Sequence, residues 1–300
     1  MAGVPWRSSS FFMGGIILTN EEIKEMEAGS VYRLREVQEG VYRIENSHVF
    51  MDLLVGEHHA LLFDTGYGFD DLHGLVRRIT DLPLYVVNSH GHVDHACGNW
   101  QFEEVFIHPE DVGLCVEHNG PRMRMAEMEQ AELPDGFDLN DYLSHDCGRL
   151  HPVVEGEVFA LGGKTLEVVE LPGHTRGSIG LLYREEGILY VGDAVNCFIW
   201  LFLPEATKLS VYRNTLYKVR DLPFEKMIQS HEPRVMPKSC LEDYIRLAET
   251  ADYDAWPVVD TPLAAPGQEV KIITLPGNDL DQDVGKHGFA AMMISREKLG

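Results

Sequence analysis

The chain predicts a layered α/β fold built of two sheets, and three observations predict it. Each half holds paired strands followed by βα units, which suits two sheets with outer helices rather than one doubly wound parallel sheet. The segments Ala60-Leu-Leu-Phe-Asp64 and Ile188-Leu-Tyr-Val-Gly-Asp193 hold matching places in the two halves, each an apolar strand ending on an acid. That match hints at an internally duplicated sheet. Three hundred residues, 44% apolar and 24% charged, are ordinary globular material and long enough for a sizeable core.

Residues 1–30 read as an N-terminal extension. Its apolar run Phe11–Leu18 is too short to span a bilayer, and Thr19-Asn-Glu-Glu22 reads as a helix N-cap rather than a cleavage site. Strands are expected at Val31–Glu36, Val41–Glu45, Val49–Val55 and Ala60–Asp64, with a turn at Gly56-Glu57-His58. A helix at about 69–80 and the buried strand Leu84–Val87 follow. Residues 109–146 read as polar helix broken at Pro121, Pro134 and Gly136. Strands resume at about 152–171, 178–183 and 188–192, the last pair joined over Gly187. A helix at about 210–221, a strand at 226–230 and a helix at 238–250 complete a domain of residues 31–250. In residues 251–300, Pro257, Pro262 and Pro266 make a linker before strand-like Val270–Leu275 and Ala290–Ser295; this reads as an extension packing on the domain.

Lys and Arg number 25 against 48 Asp and Glu, a net charge of −23. With no basic patch to override that field, nucleic acid and anionic membrane are unsuitable partners, and a small-molecule substrate is expected. The five cysteines, Cys97, Cys115, Cys147, Cys197 and Cys240, are odd in number, scattered and without a Cys-x-x-Cys pair. They argue against a disulfide framework and for a reducing, cytoplasmic setting. A homo-oligomer is compatible with all of this.

The informative segment is Asn88-Ser-His90-Gly-His92-Val-Asp94-His95, directly after the Leu84–Val87 strand. In extended backbone His90 and His92 point to the same side and can share one ion. Gly91 permits a tight turn between them. Asp94 and His95 come as the chain turns toward a helix and can face a second ion. Six residues cannot close two such sites, so distant residues must contribute. His174 in Leu171-Pro-Gly-His-Thr-Arg-Gly-Ser178, Asp193 and His231 each stand where an apolar strand stops. The isolated His48, His108 and His118 read as surface or core residues and are assigned no role.

On these residues the chain resembles the metallo-β-lactamase superfamily, from about residue 31 to 250 and including an Asp64-Thr-Gly turn. The resemblance implies a four-layer αβ/βα sandwich with a dinuclear metal site. It further implies His90, His92 and His174 on one ion, Asp94, His95 and His231 on the second, and Asp193 bridging them. Asp64 would support the histidine loop without being a ligand. His92 in second place speaks against the di-iron flavoprotein branch, which the resemblance associates with a carboxylate there. The Ser-His-Glu-Pro setting of His231 departs from the commoner Gly-His-Gly.

Seven N and O ligands without cysteine suit two zinc ions, and iron or manganese as well. Zinc-bound water has a pKa near ~7, so a bridging hydroxide could attack a carbonyl or phosphorus while Asp94 orients it or shuttles its proton. The expected activity is hydrolysis of a small ester, thioester or lactone. The glyoxalase II type is the nearest resemblance for the ligand set, but residues 251–300 lack its basic helical extension. Mononuclear iron oxidation of persulfides, phosphodiester cleavage and a non-catalytic binding module are the competing readings. Cys197, Phe198 and Trp200 line either a substrate wall or a core or interface. Arg176 is a candidate clamp for a substrate carboxylate. The stretch Pro121–Gln130 is either a lid helix or a helix with Met125 and Met128 as its buried stripe.

Overall fold

The computed structural model describes residues 30–128, 131–280, 286 and 288–300. The extension of residues 1–30, with its Thr19–Glu22 cap, therefore falls almost wholly outside the described residues.

Seven strands form the first sheet in chain order: β1 (Tyr32–Gln38), β2 (Val41–Asn46), β3 (Val49–Val55), β4 (Ala60–Phe63), β5 (Leu84–Val87), β6 (Val105–Ile107) and β7 (Leu150–Pro152). Pairing is antiparallel up to β4 and parallel beyond it. The change of sense requires a crossover, which α1 (Leu72–Ile79) supplies. Its N-cap Asp71 accepts from the Gly74 N–H, Arg77 and Arg78 face the negative end of its dipole, and Leu72, Leu75 and Val76 form its buried stripe. Between β5 and β7 lie α2 (Val93–Ala96), α3 (Val112–His118), α4 (Pro121–Met128) and α5 (Leu139–Ser144).

The second sheet begins with β8 (Val158–Ala160), β9 (Thr165–Glu170), β10 (Ile179–Tyr183) and β11 (Ile188–Gly192). The chain then leaves it as β12 (Phe198–Leu201), and returns after α6 (Leu209–Asp221) as β13 (Lys226–Gln229) and β14 (Met236–Pro237), followed by α7 (Leu241–Thr250). Period-two alternation sorts each strand's side chains into layers. Leu61 and Phe63 meet Leu181 and Tyr190 between the sheets, while Leu62 turns to Leu72 and Val76 of α1. On the far side Leu182 and Leu189 pack with Tyr212 and Leu216 of α6 and Tyr244 of α7. The result is the expected helix–sheet–sheet–helix sandwich.

The two strands expected in residues 251–300 are present as β16 (Val270–Thr274) and β17 (Ala291–Ser295); with β15 (Val258–Val259) they join β12 in a third sheet, β17 pairing with β12 in parallel. The expected Met stripe of α4 is half present: Met128 packs partly buried on the cluster of Tyr67, Phe69 and Tyr142, but Met125 is exposed and Arg124 is fully buried instead. Arg124 donates from Nε and Nη2 to the carbonyls of Asn119 and Cys97 and lies over the Tyr142 ring, and a methionine there would leave those carbonyls without these donors. Among the described residues no helix is long and apolar enough to cross a membrane.

Candidate metal centre

Strand direction gathers the candidate ligands. β9, β11 and β13 run the same way, so His174, Asp193 and His231, which follow them, emerge at one edge of the second sheet. From the first sheet β5 delivers Asn88 to His92, and α2 turns Asp94 and His95 back toward the same edge. Gly91 is required here, because a Cβ would lie 2.7 Å from the Cys115 nitrogen and 2.9 Å from the Asp111 carbonyl oxygen. Buried Asp111 then ties the histidine loops together, accepting from Gly91 N (2.9 Å), Thr175 Oγ1 (2.7 Å) and Gly177 N (2.8 Å).

The ligand atoms fall into two groups. His92 Nδ1 lies 3.1 Å from His90 Nε2 and 2.9 Å from His174 Nε2. His95 Nε2 lies 3.4 Å from His231 Nε2 and 3.4 Å from Asp94 Oδ2. Asp193 Oδ2 sits between the groups, 3.2 Å from His231 Nε2, 3.6 Å from His95 Nε2 and 3.8 Å from His174 Nε2. Donors on a tetrahedral zinc, each about 2.0–2.1 Å from it, are ~3.3 Å apart, which matches this spacing.

The opposite nitrogen of every imidazole is engaged. His95 Nδ1 faces Asp64 Oδ2 (2.9 Å), His174 Nδ1 the Trp200 carbonyl (3.2 Å), His231 Nδ1 the His48 carbonyl (2.6 Å) and His92 Nε2 Glu205 Oε1 (2.7 Å). Those partners only accept, so each must receive a proton from the ring. For His90 the relay has one more link: Ser89 Oγ donates to Asp64 Oδ2 (2.8 Å) and so accepts from His90 Nδ1 (2.9 Å). Bare nitrogens of His90, His92 and His174 are thereby aimed at one another, lone pair to lone pair, at about 3 Å. Buried, such an arrangement repels unless a cation lies between them. Asp193 Oδ1 is likewise buried without a partner among the described residues. The donor set fits divalent metal.

Electrostatics agree at His90 and His174; at His92 burial opposes charge, but the Glu205 carboxylate outweighs it and raises the ring, so without metal a proton there stands in for a cation. Burial and the neighbouring His95 and His92 hold His90 well below the usual histidine range, and burial with His92 brings His174 down to about 4. Burial also opposes charge on His95 and His231, yet the carboxylates outweigh it: Asp94 and Asp193 push His95 well up, and Asp193 takes His231 to about 10. The same pairs overcome burial to keep Asp94 and Asp193 well below the carboxylate range. Two imidazolium protons thus stand in for cations beside the two acids.

Asp64 is fully buried with a left-handed backbone (φ 67°), touching no ligand group except through His95 and Ser89. Arg176 is exposed and donates from Nη2 to the Pro204 carbonyl (3.2 Å). Cys197 is buried in the cluster that includes Tyr212 and Tyr244, and Trp200 is half-buried on β12. Sequence reasoning missed Glu205, Asp111 and Glu127, the last of which burial and Asp94 push up to about 7. It also assigned nothing to His118, whose ring stacks on His92 at 5.0 Å, or to His48, whose carbonyl receives His231. His118 could have been noticed by residue type; the others carry no motif.

Over residues 49–231 the sequence matches the model of the Metallo-beta-lactamase superfamily. It is 30% identical over 155 residues to the acyl-coenzyme A thioesterase MBLAC2 of Gallus gallus, covering 48% of this chain and 56% of that protein. To the hydroxyacylglutathione hydrolase GloC of Haemophilus influenzae it is 27% identical over 142 residues, 46% of this chain and 62% of that one. These matches take in less than two thirds of either relative. Among solved structures, a metallo-beta-lactamase family protein of Thermus thermophilus superimposes with a TM-score of 0.51 at 20% identity, over 71% of this chain and 81% of that one. Since the family match covers more than half of the residues and runs from β3 to the last of the seven converging side chains, the chain belongs to the metallo-beta-lactamase superfamily.

Proposed function

We propose that this protein is a dinuclear metal-dependent hydrolase of thioesters, with small esters and lactones within its chemical reach. The observation that carries this is the set of bare imidazole nitrogens turned on one another beside two ionised carboxylates. The thioesterase and hydroxyacylglutathione hydrolase names of the relatives support the thioester class. His90, His92 and His174 would hold one ion, Asp94, His95 and His231 the other, and Asp193 both; zinc, iron and manganese all suit these donors. When bound, two divalent cations supply a hydroxide nucleophile at neutral pH and a Lewis acid for the substrate carbonyl.

The chain's own residues supply the rest. His90, His92, His95, His174 and Asp193 are buried, whereas Asp94 and His231 keep 19% and 31% of their side chains exposed. Substrate therefore approaches over Asp94 and His231. Asp94 stands at that opening, its Oδ2 within 3.3 Å of His231 Nε2. From there its carboxylate can take the nucleophile's proton and return it to the departing thiolate. Buried walls on the other sides exclude bulk water and strengthen every charge interaction at the reacting carbonyl.

The test is metal content of the purified protein, followed by turnover of a panel of thioesters, lactones, phosphodiesters and a β-lactam by wild type and His92→Ala. Two metal ions per chain and thioester cleavage lost in His92→Ala are expected. A wild type inert on thioesters, esters and lactones, or one holding a single iron and consuming oxygen with glutathione persulfide, would overturn the proposal.

A further inference from the structure

We infer that Glu205 is a positioning residue for His92 and that Lys298 holds Glu205 in place, which makes the C-terminal segment a working part of the metal centre. The inference rests on the ligand assignment above and goes beyond it.

His92 is held differently from the other ligands. His174 and His231 donate to backbone carbonyls, and His90 and His95 rest on the Ser89–Asp64 pair at the end of β4 and β5. The orienting partner of His92 instead comes from 113 positions away, on the segment that follows β12 and lies outside the two main sheets. Glu205 Oε1 accepts from His92 Nε2 at 2.7 Å, which keeps the ring proton there and leaves Nδ1 bare toward His90 and His174. His118 stacks on the ring face with 17° between planes, so ring plane and tautomer are both constrained.

Glu205 is in turn clamped at both neighbours. Lys298 Nζ donates to the Pro204 carbonyl (3.1 Å) and to the Ala206 carbonyl (2.6 Å). Arg176, two residues past His174, donates to the same Pro204 oxygen. One ammonium therefore bridges the carbonyls of the two residues that flank the glutamate. It belongs to the helical turn Arg296–Lys298, directly after β17, which pairs with β12 in register from Phe198↔Ala291 to Leu201↔Ile294. Strand pairing sets the tail against the segment, the lysine fixes the turn, and the carboxylate fixes the ring.

The test uses the full-length chain and the variants Glu205→Ala, Glu205→Gln, Lys298→Ala and Lys298→Arg. Metal affinity is read by competition with a chromophoric chelator, metal count by elemental analysis, and ligand geometry by the visible spectrum of the Co(II) form. Losing a partner of a ligating histidine costs about 10–100-fold in metal affinity, and Glu205→Ala should fall in that range with an altered Co(II) spectrum. Glu205→Gln, which retains an acceptor, should recover most of the loss. Lys298→Ala should weaken affinity by a smaller factor that Lys298→Arg restores.

Glu205→Ala with affinity within about twofold of wild type and an unchanged spectrum would overturn the inference alone. So would a third metal equivalent that disappears with Glu205, because His92, His118 and Glu205 are close enough to hold an ion themselves. Should Glu205→Ala not fold, Lys298→Ala decides: an unchanged spectrum and affinity refute the clamp. A wild type that takes up no metal refutes the hydrolase reading and this inference with it.

Discussion

Replacing Asp64 by Asn tests whether one buried carboxylate sets the proton positions at both halves of the centre. Asp64 Oδ1 accepts from the Ser89 backbone nitrogen (2.7 Å), and Oδ2 accepts from Ser89 Oγ (2.8 Å) and His95 Nδ1 (2.9 Å). Asn is nearly the same size and tolerates the left-handed backbone, so shape is preserved. A backbone N–H cannot surrender its proton, so the amide oxygen must stay on Ser89 N and the NH2 must face Ser89 Oγ and His95. His95 then relieves a donor–donor clash by giving up its Nδ1 proton and keeping the one on Nε2, which blocks the nitrogen facing Asp94 and His231. Ser89 Oγ loses its acceptor and donates to His90 Nδ1 instead, which moves a second proton to the bare nitrogen of His90. Each half of the centre loses one lone pair. At about 10–100-fold per disturbed ligand, metal affinity should fall by ~1.4–2.8 kcal/mol for each ion. Chelator competition measures this directly, with urea unfolding of the metal-free protein as the control. Affinity unchanged for both ions, with only the urea midpoint lowered, would show that Asp64 merely stabilises its turn.

Further expectations follow from the same geometry. Asp111→Ala leaves two backbone donors, Gly91 N and Gly177 N, unpaired in a buried site, while Thr175 Oγ1 keeps Ser178 Oγ at 2.7 Å; at about 1 kcal/mol or more each, metal-free stability should drop by at least ~2 kcal/mol in urea titration. His48→Ala should leave metal affinity within about twofold, because His231 uses only the residue 48 carbonyl; a tenfold loss would contradict that. In metal-free protein, His231, lifted to about 10 from an ordinary 6.5, contributes stability that is present below pH 6.5 and lost as pH rises toward 10. His174, lowered to about 4, contributes stability that is present above pH 6.5 and lost as pH falls toward 4. Together they place the urea midpoint of metal-free protein highest near pH 6.5, and metal should flatten the profile by occupying both nitrogens. A flat metal-free profile from pH 6.5 to 9 would be inconsistent with the charge arrangement around His231.

The sequence makes some parts of this site legible and hides others, for a physical reason. A metal ligand must be one of a few residue types, so His90, His92, Asp94 and His95 stand out in one short run, and His174, Asp193 and His231 stand out where apolar strands stop. The group that orients a ligand needs only an acceptor. Residues 48 and 200 supply backbone carbonyls, which any side chain would have offered equally. Glu205 and Asp111 are two acids among 48, with partners up to 113 positions away. The fold divides in the same way. Strands β1 to β5, β10 and β11 carry their own alternation and turns, and their boundaries are readable to within a residue or two, whereas β8 and β9 merge in one run of about 152–171. β12 is readable only through β17, more than ninety positions later, because an apolar aromatic run suits a core, a wall or a strand until its partner is known. Helix α4 likewise offers only the short Met125–Met128 pairing in Pro-Arg-Met-Arg-Met-Ala-Glu-Met, so the carbonyls of Asn119 and Cys97, not periodicity, choose Arg124 as the residue that turns inward. The hidden residues are thus the ones that act at a distance in the chain. Glu205 and the carbonyls of residues 200 and 48 set which nitrogen of His92, His174 and His231 is free, so the proposed chemistry depends on them as much as on the seven side chains that announce it.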